Sequence, residues 1–181
     1  DLHQGWLELK DLFADNLTIK MGRMMFATNS ERIIGNLEWH NVGRNFDGAT
    51  ATYKYDDWQA RVFGFLLSSN ELLMTSAAPQ SAKMLGGFDL NIPYIPAGNV
   101  YLYYDMNDKA IPSAAVATSS LPKLSRYTFG AFTKNENPGF IWELEAAYQF
   151  GTIDTLPRFK NNTRSDISAY LVSLFAGYKE G

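Results

Sequence analysis

The sequence predicts an all-β protein, an antiparallel up-and-down transmembrane β-barrel with about nine strands in its 181 residues. Three observations predict this fold class. Apolar residues recur with period two between turn signals, which is typical of strands whose two faces differ. Short and long connections alternate along the chain. Aromatic residues gather near the strand ends on the apolar face.

Four predicted strands occupy the first third of the chain. Residues 2–10 alternate weakly, and residues 17–21 place three apolar side chains on one face. Residues 49–55 alternate Ala and Tyr with Thr and Lys, and residues 58–66 also show two distinct faces. Each segment is bounded by turn-forming residues and has the length of an ordinary strand.

Five further strands follow. Residues 99–106 alternate clearly, whereas residues 82–91, 124–133 and 166–178 do so weakly. The clearest alternation is in residues 140–150, whose apolar face consists of Phe140, Trp142, Leu144, Ala146, Tyr148 and Phe150. A helix would scatter these side chains around its axis, so a strand is predicted.

The connections indicate a meander with short turns at one end and long loops at the other. The short connections are 11–16, 56–57, 92–98 and 134–139. The long connections are 27–47, 67–80, 107–123 and 151–165. A soluble sandwich would have Greek-key connections. Short periplasmic turns and long extracellular loops are instead typical of an outer-membrane barrel.

Alternation alone leaves open which face lies inward, because a soluble barrel buries its apolar face and a membrane barrel exposes it. The aromatic residues favour the membrane barrel, since amphipathic rings gather at headgroup depth. They are Tyr53, Tyr55, Trp58, Tyr104, Phe140, Trp142, Tyr148, Phe150 and Tyr178. The alternative is a soluble β-barrel that binds a hydrophobic ligand inside.

Composition limits the partners and cofactors. The chain has 16 Lys and Arg against 19 Asp and Glu, so it lacks the basic surface expected for nucleic acid. It has no cysteine, which excludes thiolate zinc sites and disulfides. The mean hydropathy is −0.21 and no apolar stretch approaches a membrane-spanning helix. We expect no cofactor, and the weak metal candidates are long-loop Ca²⁺ sites at Asp105, Asn107 and Asp108, or at Asp154 or Asp166.

The first long loop carries a motif with several residue types at fixed spacing. Gly22-Arg23 leads into Glu31-Arg32-Ile33-Ile34-Gly35, followed by Trp39-His40-Asn41-Val42-Gly43-Arg44-Asn45-Phe46-Asp47-Gly48. Leu2-His3-Gln4 precedes it, and the segments at 144–151 and 166–170 follow it. In this order the sequence resembles the alginate export family of outer-membrane β-barrels over nearly the whole chain.

The resemblance implies a porin-like outer-membrane channel for passive passage of a polar or anionic saccharide, a polysaccharide or small solutes. It implies a barrel of about 18 strands, so we expect residues 1–181 to be one barrel region that is incomplete at its C-terminus. The expected location is the bacterial outer membrane, after removal of a signal peptide. The expected partners are lipid, lipopolysaccharide, a saccharide and other envelope proteins, without nucleic acid.

An alternative function within the same fold is structural. The barrel would then be a subunit or anchor of a larger envelope assembly, with a plugged pore. An enzyme is not expected. Glu143 and Glu145 lie two residues apart on one strand face and could serve as the acid and base of a glycosidase. No second motif supports glycoside hydrolysis.

The long loop is expected to constrict the pore. Trp39 and Phe46 would anchor it by burying their rings, while Arg32, Arg44 and Asp47 would lie against or inside the pore wall. A guanidinium is always charged and its fork suits carboxylates, which fits a uronate polymer. An equally weighted alternative is a set of structural salt bridges: Arg44 with Asp47, and Arg32 with Glu31 or Glu38.

Alternation also predicts the charged residues that line the pore. The basic residues are Lys20, Lys54, Lys83, Arg61 and Arg126, and the acidic residues are Glu8, Asp89, Asp105, Glu143 and Glu145. This mixture of signs supports an anionic substrate only weakly. Arg23 is a further candidate, although strict alternation from Met21 points it at lipid. We therefore expect a bulge near Gly22 or a position near the membrane interface.

Overall fold

The computed structural model describes residues 3–36, 44–67, 83–107, 123–154 and 164–180. It confirms the predicted all-β fold, with nine strands in one sheet. The strands are β1 (Gly5–Lys10), β2 (Leu17–Met24), β3 (Phe46–Tyr55), β4 (Trp58–Leu66), β5 (Lys83–Ile92), β6 (Gly98–Asn107), β7 (Leu124–Asn135), β8 (Gly139–Asp154) and β9 (Arg164–Lys179).

Each strand pairs antiparallel with the next strand in the chain, in the order β1 to β9. The connectivity is therefore the predicted up-and-down meander. In the described ranges β1 and β9 do not pair with each other, so the sheet is not closed, as in part of a barrel. No helix in the described part of the chain is long and apolar enough to cross a membrane.

The short connections owe their geometry to particular residues. In the link from β1 to β2, the Asn16 amide donates to the Asp11 side chain at 2.7 Å, and both residues have positive φ. The link from β3 to β4 is the two-residue turn Asp56-Asp57, in which Asp56 has a φ of 49°. Asn and Asp tolerate this conformation better than most residues. These turns lie at the short-turn end of the sheet.

The strands next to the first long loop are longer than alternation indicated. β2 continues to Met24 and β3 begins at Phe46, so Arg23 pairs with Asp47 and Met24 with Phe46. Gly22 and Gly48 lie opposite each other in the same ladder. Glycines and charged residues interrupt the apolar alternation here, which explains why these strand ends were missed.

Cross-strand pairs define the two faces, because directly paired residues point to the same side. We call the side that carries Phe63, Tyr101 and Glu145 the inner face. It holds most of the buried side chains, including Phe65, Leu85, Asp89, Asn99, Tyr103, Thr128, Phe132 and Ala147. The opposite, outer face exposes large apolar residues, among them Val62, Leu66, Phe88, Leu102, Phe129 and Val172.

Aromatic residues form two groups on the outer face. At the short-turn end, Trp58 packs against Tyr94 with ring centroids 6.2 Å apart. Toward the long loops, Tyr127 and Phe150 stack at 5.3 Å. Phe140 and Phe150 lie ten residues apart in β8. That separation is about 33 Å along a strand and about 25 Å in height if the strand tilts by about 40°, which matches the apolar band of a membrane barrel.

Candidate functional site: a lumenal segment and a basic cleft

The chain that leaves β2 turns onto the inner face. We call residues 25–36 the inner segment. Phe26 enters a cluster of aromatic rings, with centroids 4.6 Å from Phe63, 4.8 Å from Phe65 and 6.1 Å from Phe46. Phe46 is 1% exposed. Burial of these rings fixes the start of the inner segment against β3 and β4.

The far part of the inner segment reaches β8. The Ser30 hydroxyl donates to Glu145, and Arg32 Nη1 lies 2.6 Å from Glu143 Oε1. In a flat sheet β4 and β8 would be about 19 Å apart. Four residues from Phe26 to Ser30 span at most about 14 Å. With the reach of the side chains added, the inner segment therefore bridges β4 and β8 across the inner face of the sheet.

Glu145 is 1% exposed and acts as the central acceptor of this contact. Tyr101 Oη donates to Glu145 Oε1 at 2.9 Å, and Arg32 Nη1 lies 4.0 Å from Glu145 Oε2. A buried carboxylate is tolerated when charged and hydroxyl donors surround it. The ring of Tyr101 lies over Gly130, where a Cβ would come within 2.5 Å of Tyr101 Cζ.

The inner segment is a compact turn. The Thr28 amide donates to the Ile34 carbonyl at 3.0 Å, and the Glu31 amide donates to the Thr28 carbonyl at 2.9 Å. Asn29 and Glu31 have positive φ. At Gly35 a Cβ would lie 2.8 Å from the Glu31 carbonyl oxygen, so glycine is required for this close approach.

A basic cleft opens between the inner segment and strands β5 to β7, toward the long-loop end. It has a volume of about 340 Å³ and is lined by Arg44, Lys83 and Arg126, with Asp105 as the acidic residue. Arg126 Nη2 lies 2.5 Å from Asp105 Oδ2, and Arg126 Nε has no hydrogen-bond partner among the residues that the structure describes. With three cations against one carboxylate, the cleft carries two net positive charges.

The comparison with known families matches the architecture. The alginate export family model matches residues 1–179. The chain belongs to the alginate export family. No curated protein and no solved structure matches the chain. The resemblance inferred from the loop motif and its flanks is thereby confirmed.

In this alginate export family member, most charged residues predicted to line the pore share the inner face. The ladders pair Lys20 with Glu8, Arg61 with Asp89 and Arg126 with Asp105, and they also place Lys54, Lys83, Glu143 and Glu145 on that side. Arg61 forms an ion pair with Asp89 at 2.8 Å. Lys20 Nζ lies 3.8 Å from the centroid of Trp6.

Two predicted pore residues, Arg23 and Asp47, lie on the outer face instead. They form a bidentate pair in which Arg23 Nε and Nη2 each donate at 2.7 Å. β3 begins at Phe46, so Asp47 belongs to the strand and follows the outward alternation of Ala49. The register of β2 is continuous, so the expected bulge near Gly22 is absent. Arg23 lies one residue from the end of β2.

Two of the loop salt bridges expected as an alternative, Arg44 with Asp47 and Arg32 with Glu31, are not formed in the described ranges, where longer-range contacts are found. Arg32 pairs with Glu143 of β8, and Asp47 pairs with Arg23. Arg44 lines the basic cleft and its amide donates to the Asn36 carbonyl at 2.6 Å. In the described ranges Arg44 forms no ion pair with Asp47. Trp39 and Glu38 lie outside the described residues.

Residue patterns could have revealed more of this site than they did. Phe63 and Phe65 alternate with apolar outer residues yet share a face with Arg61, and Tyr101 and Tyr103 share a face with Asp105. Aromatic rings on the same face as charged residues indicate that another segment of the chain packs against the inner face of the sheet. Ser30 carried no such signal, since its partner lies 115 residues away.

The structure gives no support to a metal centre among the residues it describes. No three His, Asp or Glu side chains in these ranges are grouped closely enough to hold a metal ion. Asp105, named as one weak Ca²⁺ candidate, is engaged by Arg126. Asp108, its expected partner, lies outside the described residues.

Proposed function

We propose that this chain forms the wall of an outer-membrane channel that passively passes an anionic saccharide or polysaccharide. Membership of the alginate export family supports export of a saccharide across the outer membrane. The outer face, with its apolar side chains between two groups of aromatic residues, would contact lipid and lipopolysaccharide. The inner face would line the water-filled path.

The basic cleft is the observation that carries the preference for an anion. Rings of charged side chains set the selectivity of pores. Arg44 and Lys83 have no ion-pair partner among the described residues, so their charges are available to a carboxylate-bearing ligand. Lys83 is half-buried near the long-loop end of β5, where reduced solvent screening strengthens its attraction for anions.

The inner segment narrows the path at the level where the saccharide would pass. It is fixed at β3 and β4 by Phe26 and at β8 by Ser30 and Arg32. Glu143 and Glu145 are engaged by these contacts, so their role here is to hold the segment. This favours the expectation that the protein is not an enzyme, whereas the two carboxylates were expected to line the pore.

Planar-bilayer recordings of the full chain test this function. Hexagalacturonate, an anionic probe, is expected to block the current at lower concentration than uncharged maltohexaose. The double substitution R44A/K83A should weaken block by hexagalacturonate about tenfold or more, while K179A, at an exposed strand end, should leave it unchanged. Absence of any ion current would refute the channel.

A plugged barrel that acts as a subunit or anchor of an envelope assembly remains a second candidate function. The inner segment favours it, because aromatic and ion-pair contacts hold this segment across the inner face. Such a protein would give no current while the inner segment is held in place, whereas a channel conducts with the segment in place. The soluble-barrel alternative fits poorly, since the outer face exposes many Leu, Val and Phe side chains.

A further inference from the structure

A second cleft lies at the opposite, short-turn end of the inner face. It has a volume of about 410 Å³ between the turn after β5, the turn after β3 and the tip of the inner segment. Asn29, Asn91 and Asn99 supply side-chain amides, Asp57 supplies a carboxylate, and Phe132 and Ile95 supply apolar surface. We call it the amide cleft.

The hydrogen-bonding capacity of the amide cleft is only partly used. Asn99 is 6% exposed, and its Nδ2 donates to Asn91 Oδ1 at 2.7 Å. The buried atoms Asn99 Oδ1 and Asn29 Nδ2 have no hydrogen-bond partner in the described part of the chain. Leaving a buried polar atom unpaired is unfavourable, and such atoms in a folded protein call for an explanation. In this cleft one acceptor, Asn99 Oδ1, and one donor, Asn29 Nδ2, are both available to a ligand.

The charge of this cleft differs from that of the basic cleft. Asp57 is the charged side chain among the described residues that line it, and no Lys or Arg does so. A carboxylate ligand would meet repulsion from Asp57 without a cation to offset it. A hydroxyl group can accept from Asn29 Nδ2 and donate to Asn99 Oδ1, because it has both capacities.

We propose that the amide cleft binds the hydroxyl groups of an uncharged sugar ring. Ring hydroxyls would satisfy the open atoms of Asn29 and Asn99, and the ring's C–H surface would pack against Phe132 and Ile95. The site rests on the proposed function for its biological meaning, as the first contact of a saccharide that arrives from the periplasmic side. Short turns face the periplasm in outer-membrane barrels.

The two clefts then divide recognition between them. Arg126 of the basic cleft and Phe132 of the amide cleft lie on the same face of β7 and six residues apart. That is about 20 Å along a strand. A saccharide that contains both uncharged and uronate rings would present hydroxyls of an uncharged ring to the amide cleft and carboxylates to the basic cleft.

Isothermal titration of the detergent-solubilised full chain with maltohexaose and with hexagalacturonate tests the amide cleft. N99A and N29A lie on different chain segments, and each should weaken maltohexaose binding about tenfold. N135A, whose amide bonds the Phe140 carbonyl outside the cleft, should have no effect. Hexagalacturonate binding should be unchanged in N29A and N99A and weakened in R44A/K83A.

The charge of the site is tested by D57N, which should retain maltohexaose binding within about threefold and strengthen the binding of hexagalacturonate. Equal maltohexaose affinity in wild type, N29A and N99A would overturn the amide cleft. So would competition by millimolar Ca²⁺, which would identify a cation site. Because titration needs no current, an amide cleft that fails while hexagalacturonate still blocks the channel leaves the proposed function standing.

Discussion

Arg32 Nη1 lies 2.6 Å from Glu143 Oε1, although 111 residues separate the two in sequence. This ion pair connects the inner segment to β8 across the inner face. The side chains are 40% and 19% exposed, so water screens the pair and its contribution is about 0.2 to 1 kcal/mol. The pair matters mainly because it fixes the position of the inner segment against β8, since its contribution to stability is small.

Replacing Arg32 should release the far part of the inner segment for part of the time. In R32A, Lys134, at 3.9 Å, is the cation that stays near Glu143 among the described residues, and the state in which the inner segment contacts β8 should become about two- to fivefold less populated. Single-channel recordings should show higher mean conductance and more frequent transitions. R164A is the matched control, because Arg164 donates to Thr152 at the far edge of the sheet.

The charge swap R32E/E143R completes this test. It restores an ion pair of opposite polarity at the same place, so its conductance should return toward that of the wild type. Wild-type conductance in R32A, or a swap that behaves like the single variant, would show that the ion pair does not hold the segment.

Gly130 should be far less tolerant of a side chain than Gly64. A Cβ at Gly130 would lie 2.5 Å from both Cζ and Oη of Tyr101, whereas a Cβ at Gly64 would meet nothing within 4 Å. G130A should displace Tyr101 from Glu145 and lower the free energy of unfolding by about 1 to 3 kcal/mol. G64A should change it by less than about 0.5 kcal/mol.

Urea unfolding in lipid vesicles, followed by tryptophan fluorescence, measures both glycine variants. Y101F separates the two consequences of G130A, because it removes the hydrogen bond to Glu145 and keeps the ring over Gly130. A G130A protein as stable as G64A would mean that Tyr101 does not lie over Gly130.

The strands and their faces could be predicted from sequence because period two is a local property. Lys20, Arg61 and Glu143 could be placed on one face by counting alternate residues. The path of the inner segment could not be predicted in this way. Its contacts join Ser30 and Arg32 to β8, and they depend on the arrangement of the intervening strands, which lie far from Ser30 in sequence. Local charge patterns instead suggested Glu31 or Glu38 as partners of Arg32.

Arg23 shows a second limit of the sequence. Alternation placed it outward, which is costly for an unpaired cation in lipid, and the expected relief was a bulge or an interfacial position. The actual partner is Asp47, which follows a long loop and is brought opposite Arg23 by the register between β2 and β3. The register between two strands depends on both of them, so the alternation within β2 alone could not identify Asp47 as the partner of Arg23.

The Arg23 and Asp47 pair predicts that a double substitution is milder than either single one. R23M takes the Arg23 guanidinium away from the Asp47 carboxylate on the outer face, and D47L takes the carboxylate away from the guanidinium. Each should destabilise by about 2 to 4 kcal/mol if the site lies in lipid, and less near the interface. R23M/D47L removes both charges and should be close to the wild type. Additive losses in vesicle unfolding would show that the two charges do not compensate each other.

Asp105 should limit the affinity of the basic cleft for anions. Its Oδ2 lies 2.5 Å from Arg126 Nη2, so part of the charge of Arg126 is neutralised. D105N keeps the shape of the side chain and raises the net charge of the cleft from two to three. Hexagalacturonate should then bind about three- to tenfold more tightly, and added salt should weaken binding more steeply because more of it is electrostatic.

D166N gives the matched control for Asp105, since it makes the same change in net charge on β9, away from the cleft. It should leave hexagalacturonate affinity and its salt dependence unchanged. Equal gains in D105N and D166N would attribute the effect to overall charge. A loss of affinity in D105N would mean that Asp105 positions Arg126 for the ligand, and that Arg126 needs its partner in order to bind.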